Sequence, residues 1–77
     1  MKTLFKTEIT TFKNLEVGDE IMLQDMNFTA YGTIEAIEDS IIVRWYDDDS
    51  TDLVHKSQEI EIVEEFRMYA CGWQVKR

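Results

Sequence analysis

The sequence predicts an all-β domain, and three observations lead to this fold class. Short segments with apolar residues at alternate positions recur roughly every ten residues, and turn-forming residues separate them. Proline is absent and there are only three glycines, so no segment is marked as a flexible linker. A chain of 77 residues has room for one hydrophobic core. We therefore expect one domain over residues 1–77, a small barrel or sandwich.

The first half of the chain contains three predicted strands. In residues 3–11, apolar and β-branched side chains alternate with polar ones, which is typical of a half-buried strand. A turn at Val17-Gly18-Asp19 leads into a second strand at 20–24, with Ile21 and Leu23 on one face. Residues 25–31 are expected to form a loop. The third strand is expected at 32–37 and is followed by a polar turn at 38–40.

The second half begins with the clearest strand, residues 41–46, in which Ile41, Val43 and Trp45 share one face. An acidic loop at 47–52 precedes short strands at 53–55 and 60–63. The side chains expected in the interior are Ile21, Ile34, Val43, Trp45 and Val63.

The last segment, residues 66–75, allows two interpretations. Alternation favours a strand with Tyr69, Cys71, Trp73 and Val75 on one face, and a buried thiol at Cys71. A helix that ends near Ala70, with Gly72 as its cap, is the alternative. We expect both terminal segments to pack back against the central strands and to pair with each other.

The charge is unevenly distributed, with a total of −8. Residues 1–13 carry a net +2 and residues 66–77 a net +3, whereas residues 14–65 hold fifteen carboxylates against Arg44 and Lys56, a net −13. A field of that sign repels nucleic acid and membrane phosphate and attracts cationic proteins. We therefore expect neither direct nucleic-acid binding nor membrane binding.

The central segment contains four spaced groups that can be compared with a known fold. They are Val17-Gly18-Asp19 with Ile21, Gly32-x-Ile34 with Ile37, Val43-x-Trp45-x-Asp47, and Ile60 with Val63. In this spacing, residues 15–63 resemble an SH3-like barrel of the Tudor and KOW kind, with segments 1–13 and 66–77 as additional strands. The resemblance implies loop aromatics at one end of the barrel, as in Tudor-type readers of methylated lysine or arginine.

Two sets of side chains are candidates for partner binding. The aromatic set is Phe28, Tyr31, Tyr46 and Trp73. The acidic set is Asp25, Glu38, Asp39, Asp47, Asp48, Asp49 and Asp52. Aromatic faces and carboxylates both attract cations. The simpler interpretation is that the rings cover the barrel mouth and that the carboxylates keep the protein soluble.

No motif for catalysis, a cofactor or a metal stands out. The acidic run at 47–52 lacks the glycine and the distal glutamate of a calcium-binding loop, and His55 has no nucleophile beside it in a motif. We therefore expect a non-catalytic module, without cofactor or metal, that recognises a basic protein surface or segment. The alternative is an acidic mimic of nucleic acid that blocks a nucleic-acid-binding protein.

Two further expectations concern location and assembly. The sequence shows no signal peptide or membrane span, and Cys71 is its one cysteine, so we expect a cytoplasmic protein. A second copy of the chain is a further candidate partner.

Overall fold

The computed structural model describes residues 8–68 and 71–77, which form a seven-stranded sheet curled into a half-barrel. The strands are β1 (Glu8–Thr11), β2 (Glu20–Gln24), β3 (Thr29–Ile37), β4 (Ile41–Trp45), β5 (Thr51–Val54), β6 (Glu59–Val63) and β7 (Gly72–Lys76). A short 3-10 helix, Phe12–Asn14, follows β1. The predicted mainly β class is confirmed, including strands near both ends of the chain.

The strand order in the sheet is β1-β6-β7-β2-β3-β4-β5. Strands β2 to β5 form an antiparallel meander in which each strand pairs with the next. Strand β7 lies between β6 and β2, parallel to β6 and antiparallel to β2. The expectation that the two terminal strands pair with each other is wrong for the described strands, because β1 and β7 lie on opposite sides of β6. Residues 3–7 of the first predicted strand lie outside the described residues.

Strand β3 is longer than the sequence predicts. It begins at Thr29 because residues 29–31 pair with the end of β2, so the predicted loop at 25–31 is reduced to 25–28. A bulge between Ile34 and Ala36 interrupts its register with β4. Bulges bend a strand and increase its twist, which is consistent with the curl of the sheet.

The concave face of the sheet carries the main hydrophobic core. Ile21, Ile34 and Val43 are buried there, as predicted. Phe12 and Val75, which lie outside residues 15–63, are also fully buried in this cluster. Burial of a side chain as large as Phe12 stabilises the fold by about 1.5–3 kcal/mol.

Two of the residues predicted to be interior, Trp45 and Val63, are not among the buried residues of the main core. Trp45 is half-buried rather than interior, because it is the last residue of β4 and lies at the end of the core. Val63 is buried as predicted, but on the convex face: its neighbour Ile62 packs against the core, and alternate residues of a strand point to opposite sides.

The convex face has a second packed region, covered by residues 64–68. The side chain of Gln74 is buried, with its Oε1 accepting a hydrogen bond from the Arg67 backbone N–H and its Nε2 donating to the Arg67 carbonyl, both at 2.9 Å. Phe66 contacts the ring of Tyr31 at a centroid distance of 5.7 Å, and the Lys76 ammonium lies 5.8 Å from the Phe66 centroid. The segment thereby covers Met22, which lies between Tyr31 and Gln74 in the sheet and is fully buried.

The strand interpretation of the C-terminal segment holds for Gly72–Lys76, with Val75 in the core and Trp73 packed against it. Residues 66–68 contain no helix, and Tyr69 and Ala70 lie outside the described residues. Cys71 is exposed, contrary to expectation, because it precedes β7 instead of lying within it.

Two cations of the basic C-terminal segment pair with carboxylates of the acidic middle. Arg77 Nη2 lies 2.9 Å from Asp19 Oδ2, and Arg67 pairs with Glu61. Within residues 8–68 and 71–77, no helix has the length and apolar character needed to span a membrane.

We predict that Gln74→Met destabilises the protein by about 1–3 kcal/mol, because a thioether cannot replace both hydrogen bonds to the Arg67 backbone. Gln58→Met is the matched control, since Gln58 is exposed and, among the described residues, its side-chain amide bonds only to the neighbouring Glu59 carbonyl. The measurement is chemical unfolding together with hydrogen exchange at the Arg67 amide. Equal stability of the two variants, with unchanged exchange at Arg67, would show that Gln74 does not hold this segment.

Candidate binding pocket at one end of the half-barrel

An open pocket of about 310 Å³ lies at the end of the concave face where β2 ends and β5 begins. Its walls combine apolar and aromatic side chains with carboxylates. The lining residues are Leu23, Phe28, Ala30, Trp45, Asp47, Asp48, Ser50 and Asp52.

Strand register brings the pocket residues together from four neighbouring strands. Leu23 lies opposite Ala30 across β2 and β3, and Asp52 lies opposite Val43 across β4 and β5. Directly paired residues share a face of the sheet, so these side chains extend the face that carries the core. Gly32 pairs with Trp45, and a Cβ at this glycine would lie 3.0 Å from Trp45 Cε3 and 2.5 Å from the Arg44 carbonyl oxygen. The missing side chain therefore lets the indole lie close against β3.

Trp45 is held from two directions. Its Nε1 donates a hydrogen bond to Asp52 Oδ2 at 2.6 Å, and its ring stacks on Trp73 with centroids 5.9 Å apart. Trp73 in turn packs edge-on against the buried Phe12, at 5.0 Å. The aromatic wall of the pocket is thus connected to the core through Trp73.

The turn after β4 fixes the position of Asp48. Asp48 Oδ1 accepts hydrogen bonds from the Ser50 hydroxyl at 2.7 Å and from the Ser50 backbone N–H at 3.1 Å. Both bonds lower the pKa of Asp48 below its ordinary value, and the bond from the hydroxyl has the larger effect. The carboxylate is therefore charged at neutral pH. Asp49 completes the turn in the left-handed region, with φ of 63°, and its N–H donates to the Trp45 carbonyl at 3.0 Å.

Phe28 also lines the pocket and is half exposed. It ends the loop between β2 and β3, which is closed by a hydrogen bond from the Asp25 N–H to the Phe28 carbonyl at 2.9 Å. The Asp25 carboxylate accepts a bond from the Met26 N–H at 2.6 Å. Asp25, a predicted binding residue, therefore stabilises the loop that carries Phe28 and does not itself line the pocket.

The structure separates the predicted aromatic residues. Tyr31 follows Ala30 in β3 and so points to the convex face, where it contacts Phe66. Tyr46 is exposed and lies outside the pocket lining, although its N–H bonds to the Tyr31 carbonyl. Trp73 is half-buried beneath Trp45. Phe28 therefore lines the pocket together with Trp45, which sequence reasoning assigned to the core.

The predicted acidic residues also fall into separate groups. Asp47, Asp48 and Asp52 line the pocket. Asp49 Oδ1 lies 3.1 Å from Arg44 Nη1, and Arg44 also pairs with Glu35. The hydrogen bond to Glu35 raises the pKa of Arg44, and the hydrogen bond to Asp49 adds a smaller effect in the same direction.

Glu38 and Asp39 are elsewhere, at a second open pocket of about 440 Å³. Its other lining residues are Ser40, Ile42, Leu53 and Lys56. Ile42 and Leu53 are paired residues of β4 and β5, and strand alternation places them on the convex face, opposite to Val43 and Asp52.

The first pocket combines aromatic rings with carboxylates, and both kinds of group attract cations. Aromatic faces attract a cation by their quadrupole, and adjacent carboxylates add a Coulomb attraction. In the described part of the chain, no group of three or more His, Cys, Asp or Glu side chains is arranged to hold a metal ion. Rings beside carboxylates can contact both the apolar stem and the charge of an organic cation.

Comparison with known proteins identifies no relative: no family model, no curated protein and no solved structure matches the chain.

We predict that Ser50→Ala raises the pKa of Asp48, because the hydroxyl bond that favours the ionised carboxylate is lost. A lowered folded-state pKa contributes stability above the ordinary pKa of the group, and that contribution disappears as the pH falls through the folded-state pKa. The variant should therefore be less stable than the parent at neutral pH, and the difference should shrink in acid.

The measurement is an NMR titration of the Asp48 carboxyl carbon, with Ser40→Ala as the control. An identical Asp48 titration in the parent and in Ser50→Ala would contradict this account of the turn.

Proposed function

We propose that the protein is a small, acidic, non-catalytic binding module that recognises a basic segment of another protein. The observation that carries the proposal is the pocket in which the rings of Phe28 and Trp45 lie with the carboxylates of Asp47 and Asp48. In this proposal the pocket receives a cationic side chain, whose aliphatic stem contacts the rings and whose charge faces the carboxylates.

We interpret the half-barrel as SH3-like and related to the Tudor kind. The meander β2–β5, followed by a turn at residues 55–58 and then β6, supports this interpretation. Strand β7 between β6 and β2 is an addition to that pattern. The fold alone implies no function, and the proposal therefore rests on the pocket.

The free energy expected from each contact indicates what kind of ligand would bind the pocket with useful affinity. A cation–π contact at an exposed site contributes about 0.5–1 kcal/mol, and an exposed ion pair about 0–1 kcal/mol. One cationic side chain therefore gives weak binding, and a useful affinity requires a longer segment with several contacts. The net charge of −8 supports this by steering basic partners towards the protein.

The second candidate function is a mimic of nucleic acid. The observation that favours it is that Glu38 and Asp39 lie at a second pocket, so the negative charge extends over more than one surface. A mimic depends on the spacing of many carboxylates, whereas a pocket depends on a few. We place either activity in the cytoplasm, where the exposed Cys71 stays reduced.

The test compares two variants that remove the same charge from different places, Asp47→Asn with Asp48→Asn, and Glu38→Gln with Asp39→Asn. The probe is a lysine-rich peptide that carries a fluorophore. We expect the first variant to bind roughly tenfold more weakly and the second to change affinity by less than about threefold, because the peptide's cation occupies the Phe28–Trp45 pocket.

Phe28→Ala should weaken binding even at high salt, since a ring contact is screened less than exposed charges, for which the screening length is about 10 Å at 0.1 M. Equal losses in the two charge variants, with none in Phe28→Ala, would favour the mimic. No binding of the peptide at low salt would exclude the pocket function.

A further inference from the structure

Strand β5 forms one edge of the sheet and pairs only with β4 among the described strands. The Trp45 N–H donates to the Ser50 carbonyl at 2.8 Å. This bond identifies which residue pairs of β4 and β5 exchange backbone hydrogen bonds. In an antiparallel pair, hydrogen-bonded and non-hydrogen-bonded residue pairs alternate. Asp52 and Val54 therefore bond to β4, and the backbone N–H and C=O groups of Thr51 and Leu53 point away from it.

Within residues 8–68 and 71–77, no backbone group satisfies the outward N–H and C=O of Thr51 and Leu53. Such an edge is a template for a further strand. The other edge of the sheet is β1, which begins at Glu8, the first described residue.

The side chains of β5 border a pocket on each side of this edge. Asp52 lines the Phe28–Trp45 pocket on the concave side, and Leu53 lines the second pocket with Ile42 on the convex side. Leu53 has 72% of its surface exposed, which is unusual for an edge strand that only needs to stay soluble. The two sides thus differ in chemistry, with carboxylate on one and aliphatic surface on the other.

We propose that the β5 edge binds an extended segment of the partner as an additional strand, and that this segment alternates cationic and apolar residues. The proposal rests on the proposed function, because the cationic residues occupy the Phe28–Trp45 pocket. Alternate side chains of an added strand point to opposite faces. One set lies beside Asp52 and Asp48, and the other set lies beside Leu53 and Ile42.

Charge favours a basic strand over a second copy of the chain at the β5 edge. Two copies joined through β5 bring together surfaces of the same sign, since each chain carries −8 and each edge carries Asp52. Like charges on neighbouring strands are destabilising. A basic strand makes the same backbone hydrogen bonds and gains Coulomb attraction.

The probes are two short peptides of one composition, one alternating lysine and valine, the other with all lysines before all valines. Their total charge and apolar content are equal, and only the alternating peptide can place its two side-chain sets on opposite faces of an added strand. We expect the alternating peptide to bind roughly tenfold more tightly, and to slow hydrogen exchange at the Thr51 and Leu53 amides.

Leu53→Pro is the decisive variant, and Leu53→Ala is its matched control. Both remove the leucine side chain, but only proline removes the outward N–H, and no bond to β4 is lost because that N–H does not point to β4. We expect Leu53→Pro to lower the affinity for the alternating peptide roughly tenfold beyond Leu53→Ala. Circular dichroism and thermal unfolding are the checks that both variants are folded.

The proposal is overturned if the alternating peptide binds without protecting the Thr51 and Leu53 amides. If that binding still requires Asp47 and Asp48, the pocket function stands and only strand addition fails. If neither peptide binds, both fail. Formation of a dimer by the chain alone, suppressed by Leu53→Pro but not by Leu53→Ala, would assign the edge to a second copy and also overturn the proposal.

Discussion

The position of β7 between β2 and β6 is the constraint on which the rest of the structure depends. Among the described strands, β6 and β1 reach the meander through β7 alone, because β6 has β1 and β7 as its two neighbours. Val75 is fully buried in the core on the concave side, and Gln74 is buried on the convex side. A strand of five residues therefore contributes to both packed faces, and its loss would remove sheet pairing and core contacts together.

The candidate pocket depends on the same strand. Trp73 of β7 packs against Phe12 and supports the ring of Trp45, while Asp52 holds the indole nitrogen. Half of the lining residues lie on strands, namely Leu23, Ala30, Trp45 and Asp52, whereas the others lie in the loops after β2 and β4. Side chains on strands are better ordered than side chains on loops. Two of the carboxylates in the pocket have hydrogen-bond partners within the protein, since Asp48 bonds to Ser50 and Asp52 to Trp45. In the proposed function, the same carboxylates would thus support the pocket and attract the ligand.

Alternation of apolar residues predicted β2 with its observed bounds and β4 to within one residue, because both strands have one face against the core. The order of strands was outside the reach of periodicity. Whether β7 pairs with β1 or inserts between β6 and β2 depends on long-range pairing, which no local pattern reports. Similarly, the start of β3 at Thr29 results from pairing with β2, and the three residues from Thr29 to Tyr31 are too few to show a strand period by themselves.

Some of the residues that line the candidate pocket were predicted as binding candidates, and others were not. The acidic residues after β4 were identified as binding candidates, and three of the four, Asp47, Asp48 and Asp52, line the pocket. Trp45 was not predicted as a pocket residue. Alternation along β4 assigned it to the core, although a residue at the end of a strand is covered only on one side. Tyr31 was expected in a loop at one end of the barrel, but the extension of β3 by three residues places it in a strand. A residue in a strand has a fixed face, and for Tyr31 this is the convex face.

Hydrogen exchange of the intact chain, followed residue by residue, tests most directly whether β7 joins the two parts of the sheet. The account predicts that the slowest amides of β7, at Trp73 to Val75, open with the same free energy as those of β3 and β4, because all three strands are lost only in global unfolding. Opening of the β7 amides at a much lower free energy, while β3 and β4 remain protected, would contradict the account. In that case the meander would be stable alone and β7 an accessory strand.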